Sequence, residues 1–405
     1  MPVIKNISIL YTCKDEGLQI DVFPIHNAAL AWAGDTIIWT GKEKYLPERL
    51  LNDEIVDAGG GIVVPGFIEC HTHLAFGGWR SEEFEMRLKG DSYLEIAKSG
   101  GGILSTVKAT RESSEDALFQ KCHLILERIK RLGVTAIECK SGYGLTLADE
   151  LKLLKVYHRL KKPDLSTIKT TFLGAHTFPQ EFIHDRQGYI QLLIDKMLPI
   201  ISEDNLADFC DVFVEDSAFS TSEAREILNA GKKFGLIPKL HADQLTSCGG
   251  AELAAETGAI SADHLEQISD NGIREMARAN VIAVNLPIAS LYTQQPYLNC
   301  RKLVDAGVKV AVATDFNPGS APSYDIHLAM LLSCNHGRLT TDECLKAVTI
   351  YAAKAIAEEN EIGSLEPGKK ADFIVLDVPD FRFWIYHHNG ADIRNIFLKG
   401  TQIHP

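Results

Sequence analysis

The chain has 405 residues, 45% of them hydrophobic and 23% charged, with a formal net charge of −13. That length accommodates one large domain and a smaller one, and the acidic balance argues against nucleic acid or an anionic membrane as a principal partner. Nine cysteines with no Cys-x-x-Cys pair argue against a disulfide framework and for a reducing, cytoplasmic setting. The N-terminus lacks the basic-then-apolar order of a signal peptide, and no apolar run reaches membrane-spanning length, so neither feature is expected.

Residues 1–64 read as short strands joined by turns. Two apolar runs, 28–33 and 36–40, are separated by Gly34-Asp35, a two-residue hairpin link. The other end has the same character, with strands expected over 372–377 and within 393–403. Chain ends often lie close together, so 1–64 and 364–405 are expected to form one small β-sandwich domain. Between them, residues 65–363 alternate short apolar strands with amphipathic stretches. Eight strands are expected, at 62–70, 134–139, 168–174, 211–214, 237–240, 260–263, 281–285 and 308–314. Leu147, Leu151 and Leu154 fall on one helical face of the segment 147–160, and 222–234 reads similarly. Eight strand–helix units predict an α/β chain with a (β/α)8 TIM barrel over 65–363. An open doubly wound sheet is the alternative, but no Gly-x-Gly-x-x-Gly follows a strand to support it.

The stretch 65–73 organises the chain. A buried apolar strand runs into His71-Thr72-His73. Residues i and i+2 of a strand share a side, so both imidazoles can reach one ion, and imidazole suits zinc and iron. TIM barrels carry their chemistry at the C-terminal ends of the strands. Taken in order, those ends supply His71 and His73, then Glu138, Lys140 and Tyr143, then His176, Glu215, His241, Gln244, His264 with Glu266, and Asp315 followed by Asn317-Pro318-Gly319-Ser320. Five of the fourteen histidines fall there, too many for packing alone, and they indicate a metal site. Lys140 and Glu266 read as salt-bridge residues of the barrel rim.

This distribution resembles the amidohydrolase superfamily. Segments 69–80, 139–144, 172–177, 240–244, 261–266 and 314–322 are together similar to the imidazolonepropionase family, and the similarity runs over nearly the whole chain. The resemblance implies a barrel of amidohydrolase type and hydrolysis of the ring C–N bond of 4-imidazolone-5-propanoate to N-formimidoyl-L-glutamate, a step of histidine degradation. It implies one metal ion per chain, zinc or iron, held by His71, His73, His241 and Asp315, with Asp315 and His264 catalytic. Positions matching Arg80, Tyr143, His176, Gln244, Asn317, Gly319 and Ser320 contact substrate or product in the family; some members carry glutamate where this chain has Gln244. Binuclear members bridge two metals with a lysine or another ligand from the third or fourth strand. No lysine ends either strand here, and Glu215 is read as structural, so one metal is expected. The expected partner is a small molecule whose carboxylate tail meets Arg80, and a homodimer is implied. The alternative is an amidohydrolase-type deaminase of a heterocyclic ring, which would use the same ligands without needing the tail pocket of Arg80, Tyr143 and His176. A non-catalytic relative would be expected to lack ligands, and all four are present.

Overall fold

A computed structural model describes residues 1–50, 54–90, 101–161, 166–389 and 392–403. The N-terminal strands are β1 (Val3–Tyr11), β2 (Pro24–Ala33), β3 (Thr36–Lys42), β4 (Ile55–Asp57) and β5 (Ile62–Pro65). Eight more follow: β6 (Phe67–Thr72), β7 (Val134–Lys140), β8 (Thr167–Ala175), β9 (Phe209–Val214), β10 (Ile237–Ala242), β11 (Ser261–His264), β12 (Ile282–Asn285) and β13 (Val310–Val312). The last are β14 (Phe373–Leu376), β15 (Ile393–Leu398) and β16 (Thr401–Ile403).

The two chain ends build one mixed sheet in the order β16-β15-β14-β5-β1-β2-β3, with β4 beside β1. The Gly34-Asp35 link closes the β2–β3 hairpin as its composition predicts. The sheet curls over its own apolar face. Trp32 on β2 packs edge-on against Phe373 of β14 and Phe397 of β15, with ring centroids 5.4 and 5.5 Å away.

Strands β6 to β13 are parallel and pair in sequence order. The circle closes where Thr72 bridges to Phe316 and the His73 N–H donates to the Phe316 carbonyl at 2.9 Å. All eight expected barrel strands are present in their expected order. The first departs from expectation, because the run 62–70 is two strands. β5 pairs antiparallel with β14 in the terminal sheet, whereas β6 opens the barrel. Gly66 lies between them, and a Cβ there would strike the Thr135 side chain. Pro65-Gly66 marks the break in the sequence, but the burial of both halves makes 62–70 read as one strand.

The helices follow the sequence pattern. Leu147–Leu160 begins at Thr146, whose side chain accepts from the Asp149 N–H. Thr221–Lys233 opens with a capping box formed by Ser220 and Glu223. The helix Ile350–Ala355 packs with Ile68, Phe209, Ile282 and Val284 in one apolar cluster, so apolar side chains fill one end of the barrel while the polar groups gather towards the strand C-termini. Among the described residues, no helix is long and apolar enough to cross a membrane.

Candidate metal centre

The C-terminal ends of β6, β10 and β11, with the segment after β13, bring the predicted ligands together. His71 Nε2 lies 3.3 Å and His73 Nε2 3.5 Å from Asp315 Oδ1, and His73 Nε2 lies 3.4 Å from His241 Nε2. All four side chains are buried. Burial is the main force holding the pKa values of His71, His73 and His241 well below the ordinary imidazole range, with Lys140 or neighbouring histidines adding to it. The rings are therefore neutral and offer lone pairs. His71 Nε2 is buried and has no hydrogen-bond partner. Such an orphaned acceptor beside two more imidazoles and a carboxylate fits a divalent ion: three nitrogens and one oxygen are a donor set that zinc and ferrous iron both accept.

Two of these imidazoles have a carboxylate behind them. His71 Nδ1 is 2.6 Å from Asp263 Oδ2, and His241 Nδ1 is 3.0 Å from Asp211 Oδ2. The first is a hydrogen bond of the kind that fixes the tautomer and raises the basicity of a ligating imidazole, whereas His241 Nδ1 approaches Asp211 without hydrogen-bond geometry. Between the two carboxylates sits Lys140. Its Nζ is 2.9 Å from Glu138 Oε1, 2.9 Å from Asp211 Oδ2 and 3.3 Å from Asp263 Oδ2. Burial alone would strip its proton, but the three carboxylates outweigh that and hold its pKa above the usual lysine value. The expected salt bridge is present, but its placement at the rim is corrected, because Lys140 is fully buried within the barrel. Lys239 Nζ reaches Glu138 Oε2 at 3.1 Å and the Ala355 carbonyl at 3.0 Å. Glu69 accepts from the Thr314 N–H and the His71 N–H, tying β6 to the segment that carries Asp315. Burial pushes the Glu69 carboxyl up to about 8.

Burial also raises the Asp315 carboxyl to about 7, against the opposing pull of His264 and Asn317. His264 Nδ1 is 3.6 Å from Glu266 Oε1. Burial works against protonation of His264, yet Glu266 and Asp315 prevail and raise its pKa. Asp315 (φ 58°), His264 (φ 80°) and Asp243 (φ 49°) all sit in left-handed backbone conformations at the barrel mouth. Such conformations cost about 1–3 kcal/mol each and gather at functional sites.

Around these groups lie the residues expected to meet a ligand. The His176 ring stacks on His73 at 5.1 Å with a 15° tilt, its Nδ1 3.1 Å from the Gly142 carbonyl. The Tyr143 ring lies 5.7 Å from His73 and 5.3 Å from His176. Burial, with a smaller contribution from Asp315, pushes the Tyr143 phenol up and keeps it a neutral donor. Gln244 is half-buried on the loop after β10. Arg80 donates from Nε (2.9 Å) and Nη2 (2.7 Å) to Glu83 Oε2, while its Nη1 lies against Gly319, where a Cβ would collide with it. Arg87 Nη2 donates to the Gly319 carbonyl at 3.0 Å. Asn317 closes its own loop: its Oδ1 accepts from the Gly319 and Ser320 N–H groups, and its Nδ2 donates to the Asp315 carbonyl and Ser320 Oγ. Its amide is engaged within the loop, so its contribution runs through the shape of residues 315–320. Glu215 accepts from the Leu245 N–H at 2.8 Å and from the Thr246 hydroxyl. It holds the loop after β10, as its structural reading requires.

Sequence reasoning missed Asp211 and Asp263. A signal existed: each is a carboxylate inside a strand otherwise buried throughout, and such a group needs a partner. What the sequence does not show is which imidazole each would face.

A model of the amidohydrolase family matches residues 62–403. The chain is 45% identical to an imidazolonepropionase of Fusobacterium nucleatum, covering 99% of this chain and 98% of that one. It is also 45% identical to an imidazolonepropionase of Geobacillus kaustophilus, covering 95% and 91%. Among solved structures it is similar to a 5-methylcytosine deaminase from Klebsiella pneumoniae (TM-score 0.75, 16% identity, covering 99% and 98%). It is likewise similar to an adenosine deaminase from Xanthomonas campestris with bound zinc (TM-score 0.71, 16% identity, covering 99% and 92%). At those identities the two deaminases show the shared fold alone.

Proposed function

The chain belongs to the amidohydrolase family and, within it, to the imidazolonepropionases, and on that premise we propose a mechanism with one metal ion at the barrel mouth. The reaction is hydrolysis of the ring C–N bond of 4-imidazolone-5-propanoate to N-formimidoyl-L-glutamate, and its proposed setting is histidine degradation in the cytoplasm. The observation that carries the mechanism is the convergence of His71, His73, His241 and Asp315 within a few ångströms.

A bound zinc or iron ion supplies Lewis acidity, which lowers the pKa of water from about 15.7 to about 7 and polarises a carbonyl. The chain's own residues do the rest. Asp315 accepts the proton from the attacking water, whose oxygen adds to the ring carbonyl carbon. The ring C–N bond then breaks, and the leaving nitrogen takes up a proton delivered from Asp315 or His264. The raised pKa of His264 supports its part in that transfer. Tyr143 and His176 border the cavity and orient the ring. A single ion is proposed because no lysine ends the third or fourth barrel strand to bridge a second one. Assembly as a homodimer is proposed from the resemblance.

Arg80 is the proposed receptor for the propionate. Glu83 takes its Nε and Nη2 donors and Nη1 lies beside Gly319, so the propionate is proposed to be received between Nη1 and that loop. A charge-assisted pair in a partly dry site contributes about 2–4 kcal/mol. Arg80→Ala is therefore expected to lower kcat/KM by roughly 30- to 1,000-fold, mostly through KM. Arg80→Lys should recover only part, because a point charge cannot form the fork. Steady-state kinetics with the acid and with its carboxamide check this. The carboxamide should be a poor substrate of the parent enzyme and lose little more in the variant. Equal handling of the acid by both enzymes would return Arg80 to a structural role.

A further inference from the structure

We propose that Lys140 is a positioning residue for the metal centre, its ammonium group fixing the carboxylates of Asp211 and Asp263, which in turn orient His241 and His71. The proposal rests on the one-metal reading above.

The geometry is a chain of contacts across five strands. From β7, Lys140 Nζ reaches Asp211 Oδ2 on β9 at 2.9 Å and Asp263 Oδ2 on β11 at 3.3 Å. Those same two oxygens lie 3.0 Å from His241 Nδ1 on β10 and 2.6 Å from His71 Nδ1 on β6. One cation thus stands behind two of the three ligating imidazoles. Every group in the chain is buried, so water does not screen the arrangement; hydrogen bonds join Lys140 to Asp211 and His71 to Asp263, while Lys140–Asp263 (3.3 Å) and His241–Asp211 (3.0 Å) are close contacts that complete the chain. The other oxygen of each carboxylate is held separately, Asp211 Oδ1 by the His241 N–H and Asp263 Oδ1 by the Ser261 hydroxyl, so the role proposed for Lys140 is to fix the oxygens that face the imidazoles.

Lys140 also occupies ground that a cation would favour. His71, Glu138 and Asp263 place donor atoms within 4.8 Å of one another, a grouping able to hold an ion. The ammonium, 2.9 Å from Glu138 Oε1 and 3.3 Å from Asp263 Oδ2, is a tethered positive charge already in that place. Lys239 provides the internal comparison. It is equally buried and also pairs with Glu138, but its other contact is the Ala355 carbonyl. It belongs to the same charge network without meeting the carboxylates that face the histidines.

The test measures metal binding and needs no substrate. Zinc affinity is read by competition with a chromophoric chelator, and ligand geometry by the visible spectrum of the cobalt(II)-substituted protein. Lys140→Met should bind zinc about 10- to 100-fold more weakly, the usual cost of losing an outer-shell partner, and should shift the cobalt spectrum. Lys239→Met should leave both within about threefold of the parent. A folded Lys140→Met protein with parental affinity and spectrum would overturn the proposal, as would equal losses in the two lysine variants. Should Lys140→Met not fold, the paired variant Lys140→Met with Glu138→Gln, which removes one charge of each sign, carries the same comparison. Failure of both to fold would assign Lys140 to barrel stability and overturn the positioning role. A parent protein that binds neither zinc nor cobalt would instead contradict the metal reading itself.

Discussion

His73→Ala is expected to abolish tight metal binding and to reduce kcat by about 10³-fold or more. The size follows from what the ion supplies: Lewis-acid stabilisation amounts to several kcal/mol, and each 1.36 kcal/mol is a factor of ten in rate. His73 also borders the side on which substrate is proposed to bind. Its ring stacks on His176 and faces Tyr143 and His241, so alanine leaves a hole that no other donor in the cavity fills. Elemental analysis and kinetics on the same preparation check this. A variant that held a full equivalent of metal and turned over near the parental rate would remove His73 from the ligand set and leave His264, whose donor lies in one group with those of His71 and His241, as the substitute.

Asp315→Asn is expected to keep part of the metal while losing about 10²- to 10⁴-fold in kcat. A carboxamide still offers an oxygen ligand but cannot take up a proton. The buried Asp315 carboxyl also predicts a pH dependence. In the metal-free protein it titrates at about 7, and the ion requires the charged form. Protons therefore compete with metal below that pH, and apparent zinc affinity should rise as pH increases through about 7. The sign for stability is opposite. The folded pKa lies above the unfolded value, so the contribution to metal-free stability is complete at low pH and is lost as pH rises through about 7. In Asp315→Asn both dependences should flatten. Parental turnover in this variant would transfer the proton-accepting role, with His264 the nearest candidate.

The barrel was legible because its strands are short apolar runs with histidines at their ends, and TIM topology says which end carries chemistry. His71 and His73 could be paired from strand geometry alone, since a period of two puts them on one side. The partition of 62–70 carried a signal that sequence reasoning missed: Pro65-Gly66 is a dipeptide that punctuates strands. Both halves are buried, which masked it, and the Thr135 side chain opposite Gly66 leaves no room for a Cβ there. Lys140 was misread for a related reason. A lysine at a strand end is ordinarily exposed, and only the simultaneous arrival of Glu138, Asp211 and Asp263 makes its burial tolerable. Those three carboxylates come from three strands, so their meeting is a property of the closed barrel. Asn317 illustrates the other limit. Its residue type suits a ligand contact, yet in the fold its amide closes the loop that presents Gly319 and Ser320.

The central claim is that one divalent ion, held by three histidines and an aspartate, makes this chain a hydrolase of imidazolonepropanoate. The most direct measurement is metal content by elemental analysis on protein assayed, in the same preparation, for loss of absorbance of freshly generated 4-imidazolone-5-propanoate. The account predicts one equivalent of zinc or iron per chain, activity proportional to that content, loss on chelation and recovery on return of the ion. Full activity in a metal-free sample would contradict the mechanism, and two equivalents in active protein would contradict the single-ion centre.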